Sequence, residues 1–232
     1  MITPFFENDL VRLYHGDCLD VLPELEPEWQ ACITDPPYFV LPSGKPGDGF
    51  SWDNFASFGE FAEFTAGWRA LVERAPELKA MFVFWSIKHL NEGFRIFEPD
   101  RLALWRHANL VNVGDMRDFA YDYEPIFVKW YRGPAMRGDA RHLSVFDFVK
   151  PQSNFREDRL VHPTQKPVRL IREIAGSLDG VECILDPFAG SGTLGDACMR
   201  LGIRCVLVER EPRYCELIRD RLRNLSYQEE LF

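Results

Sequence analysis

The sequence lacks the marks of a secreted, membrane-spanning or metal-binding protein. No stretch approaches the roughly 18 consecutive apolar residues of a membrane-spanning helix, and the first residues, MITPFFENDLVRL, lack the basic and then apolar pattern of a signal peptide. None of its six cysteines forms a C-x-x-C pair, and most of them lie within apolar runs. We therefore expect a cytoplasmic protein without membrane contacts, whose cysteines are reduced core thiols rather than disulfides or metal ligands.

An excess of basic residues is also lacking. The formal net charge is −9, from 27 Lys and Arg against 36 Asp and Glu, and this alone disfavours a nucleic-acid partner, because affinity for phosphate groups comes largely from Lys and Arg. The charge is uneven, however: residues 129–172 hold ten basic and four acidic residues, a net charge of +6, so the rest of the chain carries −15. This basic segment, which also contains several aromatic residues, is either a DNA-binding face or a solvated, loop-rich insertion.

The order of predicted elements indicates an α/β fold. Short apolar runs predict strands at residues 10–14, 31–34, 80–85, 102–106, 124–130, 182–185 and 205–209, and helices are predicted at 58–75, 167–177, 193–201 and 212–225. Alternating strands and helices imply a mostly parallel sheet that is covered by helices on both faces. With 232 residues, 46% of them hydrophobic, the chain fits one large domain, 1–232, with irregular segments at 39–54 and 131–161.

A glycine-rich turn follows the sixth predicted strand. The segment CILDPFAGSGTLGDA places Gly190, Gly192 and Gly195 in a G-x-G-x-x-G pattern between a strand and a helix, and Glu209 ends the next strand. Such a turn lets a ligand approach the backbone, and an acid at the end of the next strand is placed to accept hydrogen bonds from ribose hydroxyls. Asp186, before the glycines, would repel a pyrophosphate but could pair with an ammonium group. The pattern indicates an adenosine-type pocket, although glycines at helix starts also serve tight packing alone.

A second motif, Asp35-Pro36-Pro37-Tyr38, follows the strand ACIT. Two consecutive prolines extend the backbone and remove two N–H donors, so the Asp35 carboxylate and the Pro36 carbonyl can act as acceptors for an amino group. Tyr38 is placed to stack on a planar group such as a nucleobase. Taken alone, the tetrapeptide is better explained as a proline-rich turn with a half-buried tyrosine.

Three motifs in this order resemble the amino-methyltransferases of DNA that use S-adenosylmethionine. They are DPPY at 35–38, HPTQKP at 162–167 and LDPFAGSGT at 185–193, and their order resembles the circularly permuted class called beta. GDCLDVLPEL at 16–25 and the strand YEPIFVKW at 123–130 are also similar to segments of this family. The resemblance covers about residues 10–225 and implies a Rossmann-like methyltransferase fold with a seven-stranded sheet.

The resemblance also implies roles for individual residues. The catalytic corner, which would hold a flipped base, consists of Asp35, Pro36, Pro37 and Tyr38. The residues implied in binding S-adenosylmethionine are Asp17 and Cys18 near the adenine, Thr164 and Lys166 at the carboxylate, Asp186, Pro187, Phe188, Gly190, Ser191, Gly192 and Thr193 around the methionine portion, and Glu209 at the ribose. No metal is expected.

The segment at about 131–161 is the region that, in this class, recognises the target sequence. It is short compared with a dedicated recognition domain, so we expect limited or context-tolerant recognition. The basic residues expected to contact DNA are Lys129, Arg132, Arg137, Arg141, Lys150 and Arg156. Members of this class often pair, so a homodimer stays open, although the sequence has no separable dimerisation element. They also occur in restriction-modification systems, but no nuclease is evident in this chain.

The expected chemistry is direct methyl transfer to an exocyclic amine. The lone pair of such an amine is delocalised into the ring, and acceptors for its two N–H groups, Asp35 and the Pro36 carbonyl, favour a more nucleophilic nitrogen. A methyltransferase acting on a ring carbon of cytosine would need a cysteine nucleophile, and the sequence has no Pro-Cys pair. Within the family an initial Asp usually accompanies adenine-N6 targets and an initial Ser cytosine-N4 targets. The resemblance therefore implies adenine, flipped out of the duplex or supplied single-stranded.

Four alternatives remain open from the sequence. Cytosine-N4 methylation uses the same fold and differs only in the base. A nicotinamide-dependent oxidoreductase is supported by the G-x-G-x-x-G pattern and Glu209, but it leaves the Asp-Pro-Pro-Tyr corner unexplained. Methyltransferases of RNA or of protein glutamine are a third class, although the glutamine enzymes usually have Asn-Pro-Pro-Tyr after the cofactor turn. A DNA-binding module without activity would require the intact corner to be vestigial.

Overall fold

One mixed sheet forms the centre of the protein. The computed structural model describes residues 2–39, 53, 55–109, 122–138, 142–152 and 165–229. Within these residues the strands are β1 (Phe6–Glu7), β2 (Val11–His15), β3 (Ala31–Thr34), β4 (Ala80–Phe84), β5 (Arg101–His107), β6 (Tyr123–Trp130), β7 (Val145–Phe148), β8 (Cys183–Asp186) and β9 (Arg204–Glu209). Their order across the sheet is β1-β2-β9-β8-β3-β4-β6-β5-β7. The five strands from β2 to β4 in this order are parallel, whereas β6 is antiparallel to both of its neighbours.

Helices cover both faces of this sheet. In the described residues they are α1 (Cys18–Val21), α2 (Phe58–Val72), α3 (Leu90–Phe97), α4 (Val168–Gly176), α5 (Thr193–Leu201) and α6 (Pro212–Glu229). Apolar side chains of α1, α2 and α3, such as Phe61 and Trp68, pack on one face. Those of α4, α5 and α6, such as Ile174, Leu194 and Ile218, pack on the other. Because the central strands β3, β4 and β8 are buried on both sides, their sequences are continuous or nearly continuous apolar runs, which is why short runs identified them.

The predicted α/β fold is confirmed, with two additions. All seven predicted strands occur, each with ends within one residue of the prediction, but the described residues form nine strands rather than seven. The extra strands are the two-residue β1 and the edge strand β7, and the short helices α1 and α3 were also not predicted. All six cysteines are buried free thiols. Within the described ranges, no helix is both long and apolar enough to cross a membrane.

Strand direction determines where each loop lies. The parallel strands β2, β9, β8, β3 and β4 all end at the same end of the sheet, which we call the carboxyl end, and they begin at the opposite, amino end. Strand β6 runs the other way, so Tyr123 lies at the carboxyl end and Trp130 at the amino end. Strands β5 and β7 again end at the carboxyl end. In open α/β sheets ligands bind at the carboxyl end of the parallel strands.

Candidate active site

A cavity of about 350 Å³ opens at the carboxyl end of the sheet. The segments that follow the three adjacent strands β3, β8 and β9 supply its centre, and residues 16–18 and 165–166 supply further wall. Aromatic side chains, including Phe55, Phe64, Phe188 and Tyr214, line it together with polar groups. A concave site with an aromatic wall and a few convergent polar groups is typical of a binding site for a small organic ligand.

The residues predicted to form the catalytic corner lie together in this cavity. Asp35, Pro36, Pro37 and Tyr38 all line it, and both prolines are buried. The Tyr38 hydroxyl donates a hydrogen bond to Asp35 Oδ1, and the Tyr38 ring meets Trp85 edge to face at 6.1 Å between ring centres. Burial raises the pKa of Asp35, and a neighbouring lysine opposes this effect.

Asp53 fixes the backbone that follows the corner, and the sequence did not predict this. The buried Asp53 accepts hydrogen bonds at Oδ1 from the backbone N–H groups of Tyr38 and Phe39, at 2.7 and 2.5 Å. Phe39 has a φ of +53°, a backbone angle that residues other than glycine seldom adopt. The two bonds therefore hold a turn that orients Tyr38, and nothing in the sequence pattern distinguished Asp53 from an ordinary loop acid.

A second carboxylate, Asp186, joins the corner to the glycine-rich turn. Its Oδ1 accepts hydrogen bonds from Thr34 Oγ1 at 2.7 Å and from the Phe188 N–H at 3.0 Å. Asp186 is 7% exposed, and burial raises its pKa to about 7. Since Thr34 directly precedes Asp35, this bond ties the two predicted motifs to each other.

The glycine-rich turn has the backbone form that its sequence predicts. Gly190 and Gly192 have φ angles of +53° and +74°, and α5 begins at Thr193. The Gly190 N–H donates to Glu209 Oε2 at 2.7 Å, while Glu209 Oε1 accepts from the Glu211 N–H at 2.8 Å. The predicted residues Pro187, Phe188, Gly190, Ser191, Thr193 and Glu209 line the cavity, whereas Gly192 packs behind it, where an added Cβ would lie 2.9 Å from Ile218.

Residues 17 and 18 also line the cavity, but each has a structural role as well. Asp17 caps helix α1, and its Oδ1 accepts from the Leu19 N–H at 2.9 Å. Cys18 is 3% exposed, and burial raises the pKa of its thiol. Their contact with a cofactor stays a prediction, and the capping bond explains the choice of an acid at position 17 independently of any ligand.

Lys166 lines the cavity and has carboxylate partners within the protein itself. It was expected to meet the carboxylate of a cofactor, together with Thr164, which lies outside the described residues. Its ammonium contacts Asp35 Oδ2 at 2.5 Å and Glu124 Oε2 at 3.2 Å. Glu124 was not predicted as a site residue. The sequence signal that could have identified it was an acid directly before the buried, apolar residues PIFV of the strand YEPIFVKW.

The described residues that were predicted to contact DNA do not form one surface. Lys129 and Arg132 lie at the amino end of the sheet, opposite the cavity, because β6 is antiparallel to β4. There the Lys129 ammonium donates to the Glu98 carbonyl at 2.7 Å, and Arg132 contacts the Pro76 carbonyl and Glu77. The placement of these two residues beside the corner was therefore wrong.

The other predicted DNA contacts divide in the same way. The backbone of Arg137 is bonded to Ser177, on the segment that leads from α4 back to the start of β8, so Arg137 is also remote from the corner. Lys150, after β7, lies at the carboxyl end with its ammonium 3.4 Å from Glu124 Oε1. Arg141 and Arg156 fall outside the described residues.

The residues around the cavity fit S-adenosylmethionine. The glycine-rich turn allows close approach of a ligand, the free lone pairs of Asp186 suit an ammonium group, and Glu209 ends its strand where ribose hydroxyls would need acceptors. The aromatic wall suits an adenine ring. A pyrophosphate fits less well, because Asp186 and Glu209 both line the cavity near the turn.

Comparison with known proteins agrees with this geometry. A family model described as DNA methylase, N6_N4_Mtase, matches residues 29–220. The Type II methyltransferase M2.DpnII of Streptococcus pneumoniae is 29% identical over 259 aligned residues, which cover 96% of this chain and 93% of M2.DpnII. The crystal structure of an M1.HpyAVI–SAM complex matches 92% of this chain and 100% of its own with a TM-score of 0.65 at 21% identity. The structure of the cytosine-N4-specific PvuII DNA methyltransferase matches 94% of this chain and 88% of its own, with a TM-score of 0.68 at 16% identity.

The solved structures share the fold, and the sequence relationship extends over nearly the whole chain. The family match includes both motifs that meet in the cavity, the Asp-Pro-Pro-Tyr corner and the glycine-rich turn. The resemblance inferred from the sequence is thus confirmed: the chain belongs to the DNA methylase family.

Proposed function

We propose that this protein transfers the methyl group of S-adenosylmethionine to the exocyclic N6 amine of adenine in DNA. The observation that carries the proposal is the meeting of Asp35 with the glycine-rich turn in one cavity, through the Thr34–Asp186 bond. This arrangement brings an acceptor for an amino group next to a pocket that suits the cofactor. An initial Asp in the corner favours adenine over cytosine as the target by family resemblance.

The residues that would hold the cofactor follow the sheet order. Asp186 would accept the ammonium group, Glu209 the ribose hydroxyls, and residues 16–18 with the aromatic wall would enclose the adenine. When bound, S-adenosylmethionine supplies a methyl group on a sulfonium, which is already strongly electrophilic. The protein therefore needs only to bring the nucleophile to it and to manage one proton.

The corner acts on the target amine. Asp35 and the Pro36 carbonyl would accept its two N–H hydrogens, which favours a tetrahedral nitrogen and stabilises the positive charge that develops as the N–C bond forms. Tyr38 would stack on the ring of the base, which must leave the duplex to enter the cavity. The Tyr38 hydroxyl and Lys166 already bond to Asp35, so the entering amine would exchange with the hydroxyl or use the remaining lone pairs.

DNA recognition completes the proposal. We assign it to the insertion at about 131–161 within a single domain, and among the basic residues we retain Lys150, Arg141 and Arg156 as candidate phosphate contacts. Lys150 is supported by its position at the carboxyl end of the sheet. We also place the enzyme in the cytoplasm, where its six buried thiols would stay reduced. The circular permutation and a homodimer stay predictions.

The test is to identify the methylated nucleoside. Unmethylated genomic DNA is incubated with the protein and labelled S-adenosylmethionine, digested to nucleosides and separated. We expect N6-methyladenine. Label only in N4-methylcytosine would refute the assigned base but keep the enzyme class, and NAD binding without S-adenosylmethionine binding would refute the class.

Two variants of the corner test its role. Asp35→Ala and the nearly isosteric Asp35→Asn should lower methyl transfer by about 100-fold or more, because the developing charge loses its acceptor. Both should bind S-adenosylmethionine within about threefold of the wild type by calorimetry, since the proposed cofactor residues remain. Wild-type turnover in Asp35→Asn would contradict the role of the carboxylate.

A further inference from the structure

A buried ionic chain extends outward from the catalytic corner. Lys166, whose side chain is 6% exposed, lies between two carboxylates, with its ammonium 2.5 Å from Asp35 Oδ2 and 3.2 Å from Glu124 Oε2. The ammonium also lies 5.2 Å from the centre of the Phe84 ring and 5.7 Å from that of Tyr38. Asp35 and Glu124 are 131 and 42 residues away from Lys166 in the chain, so the fold alone brings the three groups together.

The sheet topology explains how Glu124 reaches the corner. Strand β6 is antiparallel to β4, so its first residues lie beside the end of β4 and the cavity. The next residues of β6, from Pro125 to Val128, are buried and apolar. A carboxylate at this position is costly to bury unless a cation compensates it.

Glu124 is held from its outer side as well. Its Oε1 lies 3.4 Å from His107 Nε2 and 3.4 Å from the Lys150 ammonium. Its Oε2 is buried without a hydrogen bond in the described part of the chain, so the nearby Lys166 ammonium is the charge that compensates it. The adjacent positive charges lower the pKa of Glu124, and the two carboxylates raise the pKa of Lys166, so both groups are charged at neutral pH.

We propose that Glu124 is a positioning residue for methyl transfer, which acts through Lys166 to hold the Asp35 carboxylate at the distance and angle that the target amine requires. The inference rests on the proposed function. The Lys166 ammonium already contacts Asp35 Oδ2 at 2.5 Å, and its second carboxylate partner, Glu124 at 3.2 Å, fixes the direction from which it does so. If Glu124 were neutral, Lys166 would lose its second anchor and the Lys166–Asp35 pair would be free to reorient, which would move the carboxylate from the position that the target amine requires. Displacements of about 1 Å near reacting groups cost up to about 100-fold in rate.

This assignment differs from a cofactor role for Lys166, and affinity separates the two. If Lys166 bound the cofactor carboxylate, its removal would weaken S-adenosylmethionine binding. If it positions Asp35, its removal lowers turnover and leaves that affinity unchanged. The Asp35 and Glu124 contacts favour the second role.

The experiment compares Glu124→Gln, Lys166→Met and the double variant. We expect Glu124→Gln to lower kcat by about 10- to 100-fold on unmethylated genomic DNA. The dissociation constant for S-adenosylmethionine, measured by calorimetry without DNA, should stay within about twofold of the wild type. The double variant should have a kcat no lower than that of Lys166→Met, because a residue that acts through another loses its effect when the other is absent.

The matched control is Glu28→Gln. Glu28 also lies between two cations, Arg12 and Arg204, but at the amino end of the sheet. Glu28→Gln should leave kcat unchanged. The control therefore separates the effect of losing Glu124 from the general effect of losing a carboxylate between two cations. If Glu124→Gln does not unfold cooperatively, the same measurements are made on Glu124→Asp. This variant keeps the charge and withdraws it by one methylene.

Three results would overturn the inference while leaving the proposed function intact: wild-type kcat in Glu124→Gln, independent multiplicative losses in the double variant, or an S-adenosylmethionine affinity that falls tenfold in Lys166→Met. Absence of methyl transfer by the wild-type protein would instead contradict the proposed function, and the inference with it.

Discussion

Three carboxylates stand at the ends of three adjacent strands, and their partners differ. Asp35 follows β3 and is bonded by a lysine and a tyrosine hydroxyl. Asp186 ends β8 and is bonded by a threonine hydroxyl and a backbone N–H. Glu209 ends β9 and accepts two backbone N–H groups. Neutral donors offset the free-energy cost of burying a carboxylate less fully than a cation does, so Asp186 and Glu209 are suited to receive a further donor or a cation from a ligand.

The protonation of Asp186 provides a prediction at this scale. Burial raises its pKa from 3.8 to about 7, so the folded protein keeps a proton that the unfolded chain releases at lower pH. The stability from this group is therefore complete below the unfolded pKa and is lost as the pH rises through about 7. We expect the free energy of unfolding of Asp186→Asn, relative to that of the wild type, to rise by up to about 3 kcal/mol between pH 5 and pH 8. The figure follows from about 1.4 kcal/mol for each pH unit over which only the folded wild type holds the proton.

Urea unfolding at the two pH values measures this difference. Thr34→Val serves as the companion variant, because it removes the donor that favours the ionised form of Asp186 and should extend the loss of stability to higher pH. An Asp186→Asn difference that stays constant from pH 5 to pH 8 would show that Asp186 is ionised throughout this range.

At the scale of elements, helix α5 lies between two left-handed glycines that have different surroundings. Gly192 precedes the helix with a φ of +74°, and a Cβ there would lie 2.9 Å from Ile218. Gly202 follows it with a φ of +67°, and, apart from its chain neighbours, no described residue has an atom within 4 Å of an added Cβ. The backbone requirement is thus similar at both ends, while close packing exists only at the start.

This pair separates backbone strain from packing. Gly202→Ala should cost only the left-handed conformation, about 1–2 kcal/mol. Gly192→Ala should cost about 1–3 kcal/mol more, because α6 must also give way to the added methyl group. It should further weaken S-adenosylmethionine binding, since the displaced turn lines the cavity, whereas Gly202→Ala should not. Urea unfolding and calorimetry measure both effects, and equal destabilisation of the two variants would show that Ile218 moves freely.

The elements were largely predictable, but their directions were not. A strand buried on both faces is a continuous apolar run, so the ends of β3 and β4 followed from the sequence. Edge strand β7 was missed because its side chains are partly exposed and include Asp147. The apolar pattern carries no information on strand direction, which is set by how the connections run. The antiparallel β6 therefore separated Lys129 from the corner that it was expected to serve.

At the scale of the whole molecule, the site was predictable where it is local and not where it is assembled. The corner and the glycine-rich turn are each contiguous, and their residues meet as expected. The Asp35–Lys166–Glu124 chain joins three distant segments, so only the fold could reveal it. Asp53 was missed for a related reason, because its bonds go to the backbone of residues that precede it by 14 and 15 positions.

The distribution of charge shows the same division. The basic segment 129–172 is continuous in sequence, but the structure places its first residues at the amino end of the sheet and Lys150 at the carboxyl end. Residues 153–164, which include Arg156, connect Gln152 to Gln165 at the cavity wall. Since DNA must reach the corner with its target base, phosphate contacts are expected from the residues near the carboxyl end.

The salt dependence of DNA binding tests this division. Removing one phosphate-binding cation makes the slope of the logarithm of affinity against the logarithm of salt concentration shallower by about one. We expect Arg156→Gln to show this change in a fluorescence-anisotropy titration, and the double variant Lys129→Gln/Arg132→Gln to keep the wild-type slope although it has two fewer charges. This double variant is the control, because the two cations that it removes lie away from the cavity. Lys129 bonds to Glu98, and Arg132 bonds to Pro76 and Glu77. A reduced slope in the double variant with an unchanged one in Arg156→Gln would place the DNA across the amino end, and the target base could then not reach Asp35 without a second DNA-binding surface.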